Sequence, residues 1–338
     1  MIETYSFGEK MGHARPAIDA AMQKMAQERP DFRLISPDVG RAGMPEFIKK
    51  FPKQYYNTGI AEMAAMDLAA GLALEGFLPY VYGMSVFNTL RAAEGIRTNI
   101  CYQGANVKLI GNNTGLSQGP CGSTHYAMED LAILRTFPRM TLCVPGDPSQ
   151  AVKAFEAAAD YDGPVYIRLA NGRNEPEVYK SDYKFEFGKG IELLEGKDGY
   201  IIACGIMVAY ALEAAKQLRA EGFDAGVIDM HTIKPLDTEL VLRAAARTGR
   251  LVTVEDAFIT GGLGGAVCET IAEGGVPCRV KRLGIPDIFP GFGSFDEQME
   301  HLGFGIAAMK QAVRALCGLW SFSLTGGRGS PEAGIHVH

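Results

Sequence analysis

Apolar positions recur along this chain with two alternating periods. Residues 14–27 carry them at helical spacing, and Phe32-Arg33-Leu34-Ile35 follows as a short β-rich run. The exchange then repeats. Helical patterns at 63–75, 87–102, 128–136 and 148–159 are followed by strand-like runs at 78–82, 107–110, 140–144 and 164–169. A second series begins near Gly190, with strands at 200–204, 226–229 and 251–255 and helices at 207–220, 237–246 and 263–272. Such alternation predicts parallel sheets with helices on both faces, an α/β fold of two doubly wound domains. The polar stretch 171–182, with Pro176 inside it, predicts the connection. The expected division is a first domain at 1–172, a linker at 173–189 and a smaller second domain at 190–317. Residues 318–338 lack apolar periodicity and read as a flexible tail.

Composition narrows the functional classes. The 338 residues are 47% hydrophobic and 21% charged, ordinary for a globular protein with sizeable cores. A net charge of −6 argues against nucleic acid and anionic membranes as partners. There is no apolar run long enough to span a bilayer and no secretory h-region, so a cytoplasmic location is expected. The seven cysteines contain no C-x-x-C pair and the six histidines no H-x-x-x-H, so neither a disulfide framework nor a metal site is expected.

Three stretches could carry chemistry. The first is Tyr56-Asn57-Thr58-Gly59-Ile60-Ala61-Glu62, where an acid opens a mostly apolar helix with nothing cationic near it in sequence. Glu62 either complements the helix dipole or is a buried carboxyl that holds a proton for a cofactor. The second is Gly261-Gly262-Leu263-Gly264-Gly265, between a strand and a helix. A phosphate cradle would fit there, but tight strand-to-helix packing is the preferred reading. The third is the polar loop 111–125, which follows a strand, the position of ligand sites in doubly wound folds. It contains Cys121, for which spacing supports no nucleophilic pairing, and His125, which either caps the following helix or serves a ligand. His231, after a strand of the second series, reads as structural.

Several separated motifs, in order and with similar spacing over about residues 5–317, resemble the transketolase family. They are Asn57-Thr58-Gly59-Ile60-Ala61-Glu62, Ala70-Gly71-Leu72-Ala73-Leu74-Glu75-Gly76, Gly122-Ser123-Thr124-His125, Glu129-Asp130-Leu131-Ala132-Ile133-Leu134-Arg135 and Gly163-Pro164-Val165-Tyr166-Ile167-Arg168-Leu169. The match is to the pyrimidine-binding and C-terminal domains. It is similar, less closely, to 1-deoxyxylulose-5-phosphate synthase and to the β subunits of 2-oxoacid dehydrogenases.

The resemblance implies thiamine diphosphate, whose thiazolium is the electron sink when a two-carbon ketol unit moves from a ketose to an aldose. It implies that Glu62 hydrogen-bonds the aminopyrimidine, that Phe87 stacks on it, and that Asp38 and Ile60 line the cofactor. His125 would touch the substrate hydroxyls and assist proton transfer, and Arg15 would contact a phosphate. Family members hold Mg²⁺ through a Gly-Asp-Gly motif and a downstream asparagine, neither of which is found here. The resemblance therefore implies one subunit of a split enzyme, inactive alone. A separate N-terminal subunit would bring the diphosphate and Mg²⁺ site, in an α2β2 assembly around a dimer of this chain. Three positions depart from the family. Cys121 replaces an acceptor-binding aspartate, Asn113 replaces a sugar-phosphate histidine, and Asn171 replaces an arginine that Arg173 could stand in for. Fewer charged donors imply an unusual sugar or an acid end group other than phosphate. A non-catalytic scaffold subunit is the contrasting expectation.

Overall fold

The structure, a computed structural model, describes residues 2–38, 44–170 and 174–318. Its first part runs β1 Met11–Gly12, α1 Ala14–Glu28, β2 Phe32–Ser36, α2 Pro45–Lys50, β3 Tyr55–Asn57, α3 Glu62–Leu74 and β4 Leu78–Met84. The chain continues through α4 Ala93–Gly95, β5 Lys108–Asn112, α5 Asp130–Arg135, β6 Thr141–Cys143, α6 Pro148–Asp160, β7 Val165–Arg168 and β8 Glu175–Pro176. The second part runs β9 Ile191–Leu194, β10 Gly199–Ala203, α7 Met207–Ala220, β11 Ala225–Asp229, β12 Thr232–Lys234 and α8 Thr238–Thr248. It ends with β13 Arg250–Phe258, α9 Leu263–Gly274, β14 Arg279–Ile285, α10 Phe295–His301 and α11 Ile306–Gly318.

The larger sheet has seven strands in the order β12-β6-β7-β5-β4-β2-β3, and the smaller has five in the order β14-β13-β10-β11-β9. All pairs in the larger sheet are parallel except β12 with β6. Its central strands read as continuous apolar runs because both faces are covered; every residue of β4 is buried. One face packs against Ile18, Met22, Phe47 and Phe155 from α1, α2 and α6. The other packs against Ala65, Met66 and Ile96 and merges with the core of the second part. Parallel pairing aligns the carboxyl ends of β2, β3, β4, β5 and β7 on one edge, and the residues that follow them form the site.

Two features differ from the sequence expectation. Strand β12 comes from the second part of the chain yet completes the first sheet, pairing Thr232 with Cys143. The segment 87–102 is not one regular helix. Short α4 is flanked by π-helical turns at Phe87–Arg91 and Ile96–Tyr102. There the hydroxyls of Thr89 and Thr98 donate to the carbonyls of Ser85 and Glu94, both at 2.7 Å, competing with the regular amide bonds. The glycine-rich turn before α9 follows the packing reading preferred for it, and it already holds a carboxyl group of its own. Glu255 Oε2 accepts from the Leu263 amide and Oε1 from the Gly264 amide, each at 2.8 Å. A Cβ on Gly262 would collide with Glu255 Oε2, so glycine is needed there to admit the carboxyl. This overturns a phosphate cradle at 261–265. Burial pushes the Glu255 pKa up to about 7 despite the two amides.

The two parts also meet at a polar knot. Asp147 Oδ2 accepts from the amides of Val178 and Tyr179, and Gln150 Nε2 donates to Asp229 Oδ2 at 2.8 Å, beside the Tyr179 hydroxyl. Burial pushes the Asp229 pKa up to about 7 against the hydrogen bonds, with Asp147 adding to the rise. The native state therefore keeps a proton that the unfolded chain releases near its ordinary value of 3.8. Stability contributed by this group is present at low pH and lost as pH rises towards 7. Asp229→Asn is expected to flatten the fall in unfolding free energy between about pH 5 and about pH 8. Urea titrations of both proteins at the two pH values check it. His231 belongs to this region: it is buried, stacked on Phe185 at 4.6 Å, and burial lowers its pKa to about 4.

Candidate active site

Glu62 begins α3, and its burial follows from the helix around it. Ala65, Met66, Ala69 and Ala70 turn inward and draw the first turn against the sheet, leaving Glu62 5% exposed. The carboxylate is not isolated, which corrects the expectation of a lone buried acid. Arg91, 29 positions later, places Nη1 3.2 Å from Oε1 and 3.4 Å from Oε2. The Arg91 guanidinium carbon also lies 4.1 Å from the centroid of the Phe87 ring. Phe87 in turn meets His125 edge-to-face, with ring centroids 5.4 Å apart. Glu62, Arg91, Phe87 and His125 thus form one contiguous row at the carboxyl edge of the sheet.

His125 closes the long loop after β5. Its Nδ1 is 2.9 Å from the Thr124 hydroxyl, and its amide donates to the Gly122 carbonyl. The second part of the chain fixes this loop from outside. Ser123 Oγ donates to the Pro290 carbonyl at 2.6 Å, and the buried Tyr126 hydroxyl lies 2.9 Å from the Gly291 carbonyl. A Cβ at Gly122 would meet Phe292 Cε1 at 2.5 Å, so this ring lies against the loop beside Cys121. Phe289 and Phe292 are 76% and 77% exposed.

Underneath the row lies a buried ionic network. Asp130 Oδ2 accepts from Arg168 Nε at 2.8 Å, Tyr166 Oη at 2.7 Å and Ser85 Oγ at 3.0 Å. Arg168 Nη1 reaches Asp256 Oδ1 of β13 at 2.5 Å. Ser85 is two residues before Phe87 and Asp130 five after His125, so the network ties together the segments that carry these two residues of the row. Two carboxylates share one guanidinium. Burial disfavours the arginine's charge, yet Asp130 and Asp256 hold its pKa above the ordinary value. Burial outweighs Arg168 at Asp256 and pushes that carboxyl up.

The remaining sequence-derived residues are placed less closely. Asp38 is exposed with φ 24° at the end of β2, and Ile60 is 76% exposed near the end of β3. Both share the edge that holds Glu62. Asn113 is buried with φ 55°, and its Oδ1 has no hydrogen-bond partner among the described residues. Cys121 is exposed; its Sγ lies 3.7 Å from Gln118 Oε1. Arg15 sits in the first turn of α1, its amide donating to His13 Nδ1 at 3.2 Å. Arg173 and Asn171 lie outside the described residues. Sequence reasoning missed Arg91 and Asp256. For Arg91 the available signal was its spacing of four from Phe87, which brings a cation within reach of the ring in a helical turn.

The transketolase pyrimidine-binding domain model matches residues 12–174, and the transketolase C-terminal domain model matches residues 188–309. The chain belongs to the transketolase family. It is 38% identical over 291 residues to an apulose-4-phosphate transketolase subunit of Phocaeicola vulgatus, covering 86% of this chain and 92% of that protein. It is also 38% identical to 6-deoxy-6-sulfo-D-fructose transketolase subunit SqwH of Clostridium sp. (strain MSTE9), covering 84% and 88% respectively. A solved structure described as "Split gene transketolase, inactive beta4 tetramer" superposes with TM-score 0.82 at 39% identity, covering 91% of this chain and 98% of that one. This transketolase-family chain thus contains the pyrimidine-binding and C-terminal domains, and the family depends on thiamine diphosphate. The site fits the pyrimidine part of that group: a buried carboxylate and an aromatic ring, bridged by Arg91, lie at the sheet edge. Among the described residues no cluster of three His, Cys, Asp or Glu side chains could hold a metal ion, and no helix is long and apolar enough to cross a membrane.

Proposed function

We propose that this chain is the C-terminal subunit of a thiamine diphosphate-dependent transketolase that moves a two-carbon ketol unit from a ketose to an aldose. The observation that carries the reading is the buried Glu62 carboxylate in one row with Phe87 and His125. When bound, the cofactor supplies the electron sink for breaking and making the carbon–carbon bond. Glu62 hydrogen-bonds the aminopyrimidine and handles its proton, and Phe87 stacks on the ring. Asp38 and Ile60 line the same edge. His125 hydrogen-bonds substrate hydroxyls and transfers their protons, with its ring held by Thr124 and Phe87. Arg15, Asn113, Cys121 and Arg173 are assigned to substrate contact.

The diphosphate and Mg²⁺ are assigned to an N-terminal subunit, with α2β2 stoichiometry. Apolar side chains at the site edge support such docking: Ile60, Met63 and Leu90 are exposed, at 76%, 37% and 41%. Seven free cysteines suit a reducing compartment, so we place the protein in the cytoplasm. The sugar is non-standard. The uncharged Cys121 and Asn113 in the substrate loop support this, as do relatives named for apulose 4-phosphate and a sulfofructose. The test is reconstitution. This chain with thiamine diphosphate and Mg²⁺ is expected to show no ketol transfer until an N-terminal transketolase subunit is added. The assembled pair is expected to prefer branched or sulfonated ketoses over xylulose 5-phosphate with ribose 5-phosphate. Full turnover by the single chain would sink the split reading; preference for the common sugar phosphates would sink the substrate assignment.

A further inference from the structure

The row at the sheet edge contains one cation to which the roles above assign nothing. Arg91 is half exposed, at 51%, whereas the Glu62 side chain it reaches is 6% exposed. This is unlike an ordinary surface ion pair, in which both partners remain solvated and little is gained. The α3 N-cap, Ala61, offers no side-chain hydrogen bond, so Arg91 is the charged partner that the structure gives Glu62. The guanidinium makes two kinds of contact at once. One nitrogen spans both carboxylate oxygens, which restrains rotation of the carboxylate plane. Its central carbon lies 4.1 Å from the centroid of the Phe87 ring, a cation–π contact that restrains the ring near the same carboxylate. A planar, delocalised cation can do both; a lysine ammonium is a point charge and cannot.

We propose that Arg91 is a positioning residue for the cofactor's aminopyrimidine: it holds Glu62 and Phe87 in the fixed relation that lets one ring hydrogen-bond to the first and stack on the second. The inference rests on the function proposed above. A loosely held pair would bind the ring and then have to order around it, which weakens binding. Because Arg91 is half exposed and projects from the end of a turn, its replacement leaves the core intact.

The experiment is calorimetric titration of thiamine diphosphate with Mg²⁺ into the assembled two-subunit complex, with assembly checked by sedimentation. Arg91→Met is expected to weaken cofactor binding roughly tenfold, the range of one hydrogen bond to a charged group. Arg91→Lys keeps the charge but loses the planar contact, and is expected to recover only part of the affinity. Glu62→Gln and Phe87→Ala serve as references. If both references weaken binding while Arg91→Met does not, the inference on Arg91 falls and the pyrimidine site stands. If none of the three changes affinity, both fall. Tighter binding by Arg91→Met would also overturn the inference, because the guanidinium would then be competing for the ring's place.

Discussion

Replacing Glu62 by alanine is expected to reduce ketol transfer by the assembled complex at least about a hundredfold while the subunits remain associated. The size follows from removing a positioned proton-handling group, which contributes about 10²–10⁴ in rate. Folding should change little. Alanine is the best helix former, and the favourable helix-dipole term lost from the first turn of α3 is only about 0.3–1 kcal/mol. Arg91, already half in solvent, rehydrates once its partner is gone. Steady-state turnover with a ketose donor and aldose acceptor, set beside sedimentation of the complex, separates the possibilities. Activity within about twofold of the parent would mean that Glu62 handles no proton, and the chain would then be a scaffold subunit.

The largest expected effect on stability lies beneath the site. Arg168→Met should cost about 3–5 kcal/mol, because it strands the Asp130 and Asp256 carboxylates in a region that water does not reach. The three side chains are 1%, 0% and 1% exposed. The methionine fills the space of the stem but supplies none of the bonds to Asp130, Asp256 and the Ala127 carbonyl. Among the described residues Asp130 Oδ1 and Asp256 Oδ2 already lack partners, so the network there has no spare donor. Adding Asp256→Asn to Arg168→Met is expected to recover part of the loss, since one stranded charge is removed. Urea denaturation of the single and double variants measures both terms. A loss below about 1 kcal/mol for Arg168→Met would show that the pairing is not what joins the two parts.

Local chemistry was legible where the responsible residues are close in sequence. The β/α alternation marked both sheets because their central strands are buried on both faces. An acid at the start of a mostly apolar helix marked Glu62. What escaped depends on distant pairs. Arg91 lies 29 positions from Glu62, and Asp256 lies 88 from Arg168, so no window along the chain brings either pair together. The irregular turns around α4 arise from two threonine hydroxyls that bond backward, which apolar spacing does not reveal. The case of Glu255 is different. It stands on the strand that leads into the glycine turn, close enough to have signalled that the amides there were already taken.

Strand β12 has a practical consequence for anyone wishing to lift the pyrimidine-binding unit into another scaffold. Cutting the chain near residue 174, where sequence comparison would suggest, leaves Thr232–Lys234 behind and bares the backbone of β6. An uncapped rim of this kind recruits a neighbouring copy, and the excised unit is expected to precipitate unless the three-residue patch travels with it.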